Sequence, residues 1–140
     1  MSKARELAEL GAVYDSSSLS NRNIIINGAM QVAQRGTSST GLGATSGYYT
    51  VDRMVTYFSG TAGRLTMTQE SITDLPGFTK CVKLACTTAD TSIAAAEYLL
   101  LSHNIEGQNL QHLAKGTSSA KKVTVSFYVK GNAAATYVCE

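Results

Sequence analysis

The side chains that could bind a metal are few in this 140-residue chain. A zinc site needs three or four Cys, His or carboxylate ligands that converge. His103 and His112 are predicted to lie on different elements. Glu106 could meet His103 around a turn, but one His and one carboxylate make a weak site. We therefore predict no metal and expect both histidines to be surface or partly buried residues.

The three cysteines form an odd count with no metal-ligand spacing. If Cys81 and Cys86 share one strand, their Cα atoms are about 16 Å apart, at ~3.3 Å per residue. A disulfide needs Cα atoms within roughly 7 Å. We expect the cysteines, Cys139 included, to be buried thiols that act as small hydrophobic residues.

Covalent catalysis needs a Ser or Cys beside a base that a third group orients. The chain has no Gly-x-Ser-x-Gly elbow, and no Cys lies near a His in sequence. Asp52 with Glu70, or Glu97 with Glu106, could be imagined as a glycosidase pair. Ten acidic residues scattered along the chain make such pairs easy to find. We predict that the chain is not an enzyme and has no catalytic residue and no cofactor.

The composition indicates a globular protein whose surface carries few charged side chains. Hydrophobic residues make up 44% of the chain, which suits a globular protein, whereas charged residues make up only 16%, below the usual share of about a quarter. The net charge is +2 and the only tight basic cluster is Lys121-Lys122, so we expect no nucleic-acid binding. The start of the chain lacks the apolar stretch of a secretion signal. No apolar run approaches the roughly 20 residues that span a bilayer, so we expect no membrane insertion.

Residues 1–20 are predicted to form a helix and a connector. Ser2 can cap the helix and Gly11 can end it. A polar stretch at residues 15–21 then separates it from the rest. We interpret this segment as an attachment segment whose Leu7 and Leu10 contact a partner; the alternative is a disordered start.

Beyond the connector the hydrophobic pattern is mostly that of β-strands. Residues 36–47 are rich in Gly, Ser and Thr and are predicted to be an exposed loop. Residues 108–114 are predicted to form one or two helical turns, closed by Gly116. The segments predicted to be extended are 24–32, 48–58, 64–70, 78–86, 94–105, 122–130 and 136–139.

Residues 122–130 have the clearest strand pattern in the chain. Val123, Val125, Phe127 and Val129 are expected to face inward, in alternation with polar residues. Many short strands joined by Gly-rich turns predict a mainly β fold, an antiparallel β-sandwich or jelly roll over residues 21–140. Because Glu140 falls inside a predicted strand, we expect that the natural chain continues or that another subunit covers the edge.

Two polar-aromatic features remain open in their interpretation. Asp52-Arg53 follows two tyrosines at a strand entrance, which suggests a fixed ion pair or a hydrogen-bonded corner. Tyrosines could form a platform on which a sugar ring stacks, since their rings are apolar and their tips polar. Packing in the core or at a subunit interface explains them equally well.

Three stretches resemble a family of phage tail-fibre and related virion proteins. Residues 21–38, NRNIIINGAMQVAQRGTS, resemble that family's opening "N-L-I-x-N-G-x-F-x-x-x-Q-R-G-T". Residues 49–54 are similar to its "Y-T-A-D-R-W", with Met54 in place of the aromatic residue. Ile105-Glu106-Gly107 and residues 123–131 are similar to its "I-E-G" turn and "S-F-W-V-K" strand, with Tyr128 in place of Trp. The first ten residues look like the openings of marine phage proteins, those of cyanophages especially.

The resemblance implies a jelly roll similar to carbohydrate-binding domains, often assembled as a homotrimer. It marks a set of residues that we expect to have structural roles. Asn27 and Gln34 would satisfy backbone groups at a bend, Arg35 would pin a loop, and Gly36 would permit a sharp turn. Tyr49 and Tyr128 are the candidates for stacking on a glycan. The structural set is Asn27, Gln34, Arg35, Gly36, Asp52, Arg53, Glu106 and Gly107.

The function that these patterns favour is structural. We expect a component of a phage virion, made in the host cytoplasm, in a tail fibre or fibre-like appendage. The alternatives are a carbohydrate-binding module for host recognition and a capsid-decorating or head-fibre protein. The expected partners are further copies of the chain, other virion proteins through residues 1–20, and a host-surface glycan.

Overall fold

The computed structural model describes residues 2–15, 23–132 and 136–140. The chain is mainly β, with antiparallel sheets and one helix near the amino terminus. A 3₁₀-helix follows the last strand, at Gly107–Leu113. The remaining elements are α1 (Lys3–Asp15), β1 (Ser38–Leu42), β2 (Met54–Ser59), β3 (Arg64–Ser71), β4 (Lys80–Thr88) and β5 (Tyr98–His103).

The strands form two separate sheets. The larger has the order β1-β3-β4, and the smaller pairs β2 with β5. In the β3–β4 hairpin, Leu65 lies opposite Cys86 and Met67 opposite Leu84. Because residues directly opposite each other point to the same face, this register gathers apolar side chains on one side of the sheet.

The core is small and receives side chains from both sheets. Met67 and Val51 are fully buried, and Thr50 and Thr56 are buried with them. The hydrophobic cluster consists of Leu42, Val51, Met54, Leu65 and Met67, with Ile25, Met30, Tyr49, Phe58, Val82 and Leu84 packed around it. The two sheets therefore pack against each other through a few apolar side chains of β1, β2 and β3.

The predictions for β3, β4 and β5 are confirmed. Leu65 and Met67 point into the core, whereas Thr66 and Thr68 are less buried, as the alternation indicates. The segment predicted to be extended at 94–105 contains a strand, which starts only at Tyr98. A turn precedes it, in which Glu97 N donates to Ala94 O at 3.0 Å.

The predicted loop at 36–47 is wrong, because it contains β1. Ser38 and Ser39 pair with β3, and Gln69 N donates to Thr37 O at 2.8 Å. Leu42 is the residue of β1 that enters the core. A strand of small polar residues forms here because its neighbour supplies the hydrogen bonds. The predicted strand at 24–32 is also wrong, since residues 26–29 form a turn.

The amino-terminal helix is longer than predicted. Ser2 O accepts hydrogen bonds from Arg5 N at 3.0 Å and Glu6 N at 3.3 Å, so Ser2 stands at the cap. The helix continues through Gly11 to Asp15. Gly11 does not adopt the left-handed conformation that ends helices, and a helical glycine costs only about 1 kcal/mol relative to Ala. Residues 16–21 of the predicted connector lie outside the described residues.

The two carboxyl-terminal strand predictions are wrong. Neither 122–130 nor 136–140 belongs to a ladder with any described part of the chain. Phe127 is 64% exposed and Val129 70% exposed. An alternating sequence becomes a strand only when a neighbour accepts its backbone hydrogen bonds, and no neighbouring strand reaches this segment here. The sheets are accordingly not closed into a sandwich.

The predicted helical turns at 108–114 are present as the 3₁₀-helix. Its last residue, Leu113, is buried. Ala114, with φ of 48°, ends it in the left-handed conformation, ahead of the predicted stop at Gly116.

Candidate functional site

The side chain of Asn27 makes three hydrogen bonds, all of them to backbone groups. Its Nδ2 donates to Val32 O and to Asp52 O, both at 2.9 Å. Its Oδ1 accepts from Val32 N at 3.0 Å. The backbone at Asn27 is left-handed, with φ of 59°, a conformation that Asn tolerates better than most residues. Asn27 thereby joins its own turn to the segment that leads into β2.

Asp52 joins the same two segments from the other side. Its Oδ1 accepts from Gln34 N at 3.1 Å and from Arg35 Nη1 at 3.4 Å. Asp52 N also donates to Val32 O at 2.9 Å. Gln34 takes part through its backbone N–H, whereas the sequence suggested its side chain. Gly36 follows with φ of 128°, a conformation that favours glycine.

Arg53 connects this corner to the end of β5. Its Nη1 donates to Glu106 Oε1 at 3.0 Å, and its Nη2 to Asn104 O at 3.5 Å. Gln108 Nε2 donates to the other oxygen of the Glu106 carboxylate at 2.9 Å. The Arg53 hydrogen bond is the main cause that lowers the pKa of Glu106 below its ordinary value.

The sequence therefore identifies residues that do lie together, but with different partners. Asp52 and Arg53 do not form an ion pair with each other: the first contacts Arg35 and the second contacts Glu106. Gly107 begins the 3₁₀-helix, with open space where a side chain would stand. We call the cluster Asn27, Gln34, Arg35, Asp52, Arg53 and Glu106 the polar corner.

Exposure decides which bonds of the polar corner matter most. The Arg35 side chain is 53% exposed and that of Glu106 is 50% exposed. Ion pairs with one exposed partner contribute only about 0–1 kcal/mol. The three bonds of Asn27 to backbone groups are therefore the stronger tie, because they satisfy donors and acceptors that the turn leaves open.

Several residues beside the corner have no signal in the sequence. The Arg35 guanidinium lies 5.4 Å from the centre of the Tyr48 ring, a cation–π contact. Asn104 Nδ2 donates to Tyr57 Oη at 2.9 Å. His103 Nε2 lies 3.1 Å from both the N and the O of Ile26. These contacts join residues more than ten positions apart, so no local pattern could reveal them.

Tyr49 and Tyr128, the candidates for glycan stacking, lie in different surroundings. Tyr49 is half-buried, packs against the core and donates a hydrogen bond to Thr45 O. Tyr128 is 75% exposed and meets Phe78 edge-on, with ring centroids 5.7 Å apart. One ring supports the core, and the other is open to solvent beside a loop.

Each acidic side chain considered for catalysis has a hydrogen-bond partner elsewhere. Glu70 Oε1 accepts from Lys83 Nζ at 2.8 Å, which lowers the pKa of Glu70. Glu97 Oε2 accepts from Ala94 N at 3.1 Å. Asp52 and Glu106 belong to the polar corner. The described residues contain no group of three or more His, Cys, Asp or Glu side chains that could hold a metal.

The expectation of buried cysteines is wrong, because none of the three is buried. Cys86 and Cys139 are exposed, and Cys81 is intermediate. Cys81 and Cys86 lie on β4, an edge strand of its sheet, so only part of their surface is covered. All three are free thiols.

Helix α1 exposes its apolar side chains. Leu7 is 68% exposed and Leu10 is 54% exposed, and both line a shallow depression with Lys3 and Glu6. Within the part of the chain that the structure covers, no helix is long and apolar enough to cross a membrane.

No protein-family model matches the chain, and no curated protein or solved structure shows significant similarity.

Proposed function

We propose that this chain is a non-catalytic structural component of a tailed-phage virion, in a tail fibre or fibre-like appendage. Residues 1–20 attach it to the particle, and the β-rich part builds the appendage with further copies. The assignment to a phage depends on the resemblance of residues 21–38, 49–54, 105–107 and 123–131. The structural role depends on the surfaces of the molecule.

The observation that carries the structural role is the placement of apolar side chains outside the core. Leu7 and Leu10 protrude from α1, and Phe127 and Val129 protrude from the carboxyl-terminal segment. Exposed apolar patches on a folded protein mark sites of contact with other molecules. A protein that works by assembly needs such surfaces on elements that its own core does not use.

The two open sheets support the proposal that a β-sandwich is completed in the assembled protein. The described strands supply two sheets that share a core at one end. Added strands on these sheets would cover the remaining apolar side chains and remove the open edges. The polar corner would serve this architecture by fixing the chain where it enters β2.

Attachment through α1 is tested with purified full-length chain and phage particles that lack their fibres. We expect the wild-type chain to sediment with the particles. Leu7→Glu should bind at least tenfold more weakly, because burying a leucine contributes about 1.5–3 kcal/mol and a buried carboxylate opposes contact. Ala8→Glu adds the same charge at the neighbouring position and is the matched control. Equal binding of both variants, or no binding by the wild type, would refute attachment through this helix.

A further inference from the structure

The outer edge of β5 is the most apolar free edge of the described structure. β5 pairs with β2 on one side and has no strand partner on the other among the residues that the structure covers. Its residues from Tyr98 to Leu101 are 40–48% exposed. A long apolar edge of this kind is a template for pairing with another chain.

An open apolar depression lies beside this edge, between the two sheets. Its volume is about 340 Å³, and its walls include Leu65 and Leu84 from one sheet and Leu99 from the other. Ile93, 76% exposed, lies at its rim. Since Leu99 faces the depression, Leu101 faces the same side of β5. Any strand added to β5 would therefore place every second side chain on the face that carries the depression, and those opposite Leu99 nearest to it.

Residues 122–130 have the composition of such a strand, but their own chain holds them elsewhere. Lys121 N donates to Leu113 O at 2.8 Å, which fixes the start of the segment. At its end, Lys130 Nζ donates to Asp74 Oδ2 at 2.6 Å. Asp74 belongs to the loop at the start of β4, whereas Leu99 and the depression lie beside the residues toward the end of β4.

We infer that residues 122–130 of one copy pair, antiparallel, with the free edge of β5 in a second copy. This contact deepens the proposed structural role and rests on it, because it supplies the surface by which copies join. One molecule carries both an unused donor segment and an unused acceptor edge, and its own contacts keep the two apart. The second copy is therefore the occupant that the geometry favours.

Charge and side-chain alternation specify the register. With Phe127 opposite Leu101 and Val129 opposite Leu99, the apolar side chains of the segment face the depression. In this register Lys122 lies opposite Glu106, and Lys130 lies beside Glu97. Glu97 and Glu106 lie on either side of β5, and Lys122 and Lys130 lie at the two ends of residues 122–130. The charges at both ends of the paired strands are therefore complementary.

The contact joins two different surfaces of the chain, so each copy can bind one neighbour through its β5 edge and another through its residues 122–130. Such head-to-tail contacts form a closed ring when the rotation between copies closes, and an open filament when it does not. A closed ring uses every β5 edge and every donor segment, so no β5 edge stays free to drive aggregation.

Light scattering coupled to gel filtration of the full-length chain tests the contact. We expect a discrete species heavier than one copy at micromolar concentration. Phe127→Lys and Leu101→Lys should each shift it to the mass of one copy. Both side chains are exposed in a single copy, so circular dichroism should show an unchanged fold. Tyr137→Lys, at a position 68% exposed, is the matched control and should leave the mass unchanged.

Disulfide trapping separates contact between copies from contact within one. Chains carrying Val129→Cys are mixed with chains carrying Leu99→Cys, and the linked peptides are identified by mass spectrometry. A bond between these two cysteines in the mixture supports the contact. A chain that carries both substitutions is oxidised in parallel, and a bond found only within that chain, with none in the mixture, would overturn the contact.

Two other outcomes would also overturn the contact: a wild-type chain that is monomeric, or an aggregate that neither lysine variant dissolves. In each of these outcomes, sedimentation of the chain with fibre-less particles would still report on the proposed function, because that binding depends on Leu7.

Discussion

The strongest single prediction concerns Asn27. Replacing it with Ala removes three hydrogen bonds, two donated by Nδ2 and one accepted by Oδ1. Net hydrogen bonds contribute about 0.5–1.5 kcal/mol each, and two of these are solvent-exposed, so we take the lower half of that range. The left-handed backbone at φ of 59° adds about 1 kcal/mol of strain with Ala.

We therefore expect Asn27→Ala to lower the free energy of unfolding by about 3 kcal/mol. This is a large share of the roughly 5–15 kcal/mol that stabilises a domain of this kind. Urea unfolding followed by circular dichroism measures it, and an unchanged slope with denaturant shows that both states remain comparable.

Two control variants separate the contributions. Asn27→Gly loses the same hydrogen bonds but accepts the left-handed backbone, so it should be about 1 kcal/mol more stable than Asn27→Ala. Asn23→Ala removes one exposed hydrogen bond, from Ile25 N to Asn23 Oδ1, and should cost about 1 kcal/mol or less. If Asn27→Ala were no more destabilising than Asn23→Ala, the reasoning about the polar corner would be refuted.

Two further predictions concern a close backbone contact and acid stability. Gly43→Ala should strongly lower the melting temperature, because the added Cβ would collide with Gly63 O and because φ at this position is 144°, a conformation that favours glycine. Gly107→Ala is the control, since the space around Gly107 is open. Equal melting temperatures of the two variants would contradict the collision. Backbone N–H groups of Ser92 and Ala62 lower the pKa of Asp90, and hydrogen bonds from Arg53 and Lys83 lower those of Glu106 and Glu70. A carboxyl group whose pKa is lower in the folded than in the unfolded state stabilises the fold at any pH above its unfolded-state pKa. This stabilisation is lost as the pH falls through the folded-state pKa. The urea midpoint should therefore decline below about pH 4.5, the ordinary pKa of Glu, and decline less in Asp90→Asn; a midpoint that is constant down to pH 3 would contradict this.

Local sequence determined the elements whose residues carry their own pattern. Leu65 and Met67 alternate with threonines in β3, and this period alone indicates which side chains enter the core. The resemblance marks Asn27, Asp52 and Arg53 as residues expected to be structural, and the adjacent charges of Asp52 and Arg53 at a strand entrance suggest a fixed corner. The sequence does not identify the partners of these residues.

The tertiary structure decided what depends on a neighbour. β1 consists of small polar residues and is a strand only because β3 pairs with it. Residues 122–130 have a better strand pattern and are not a strand, because no strand among the described residues pairs with them. Asp52 and Arg53 are adjacent yet bind Arg35 and Glu106. The physical reason is common to these cases: hydrogen bonds between strands and between charged side chains join residues far apart in sequence, so only the folded chain can select them.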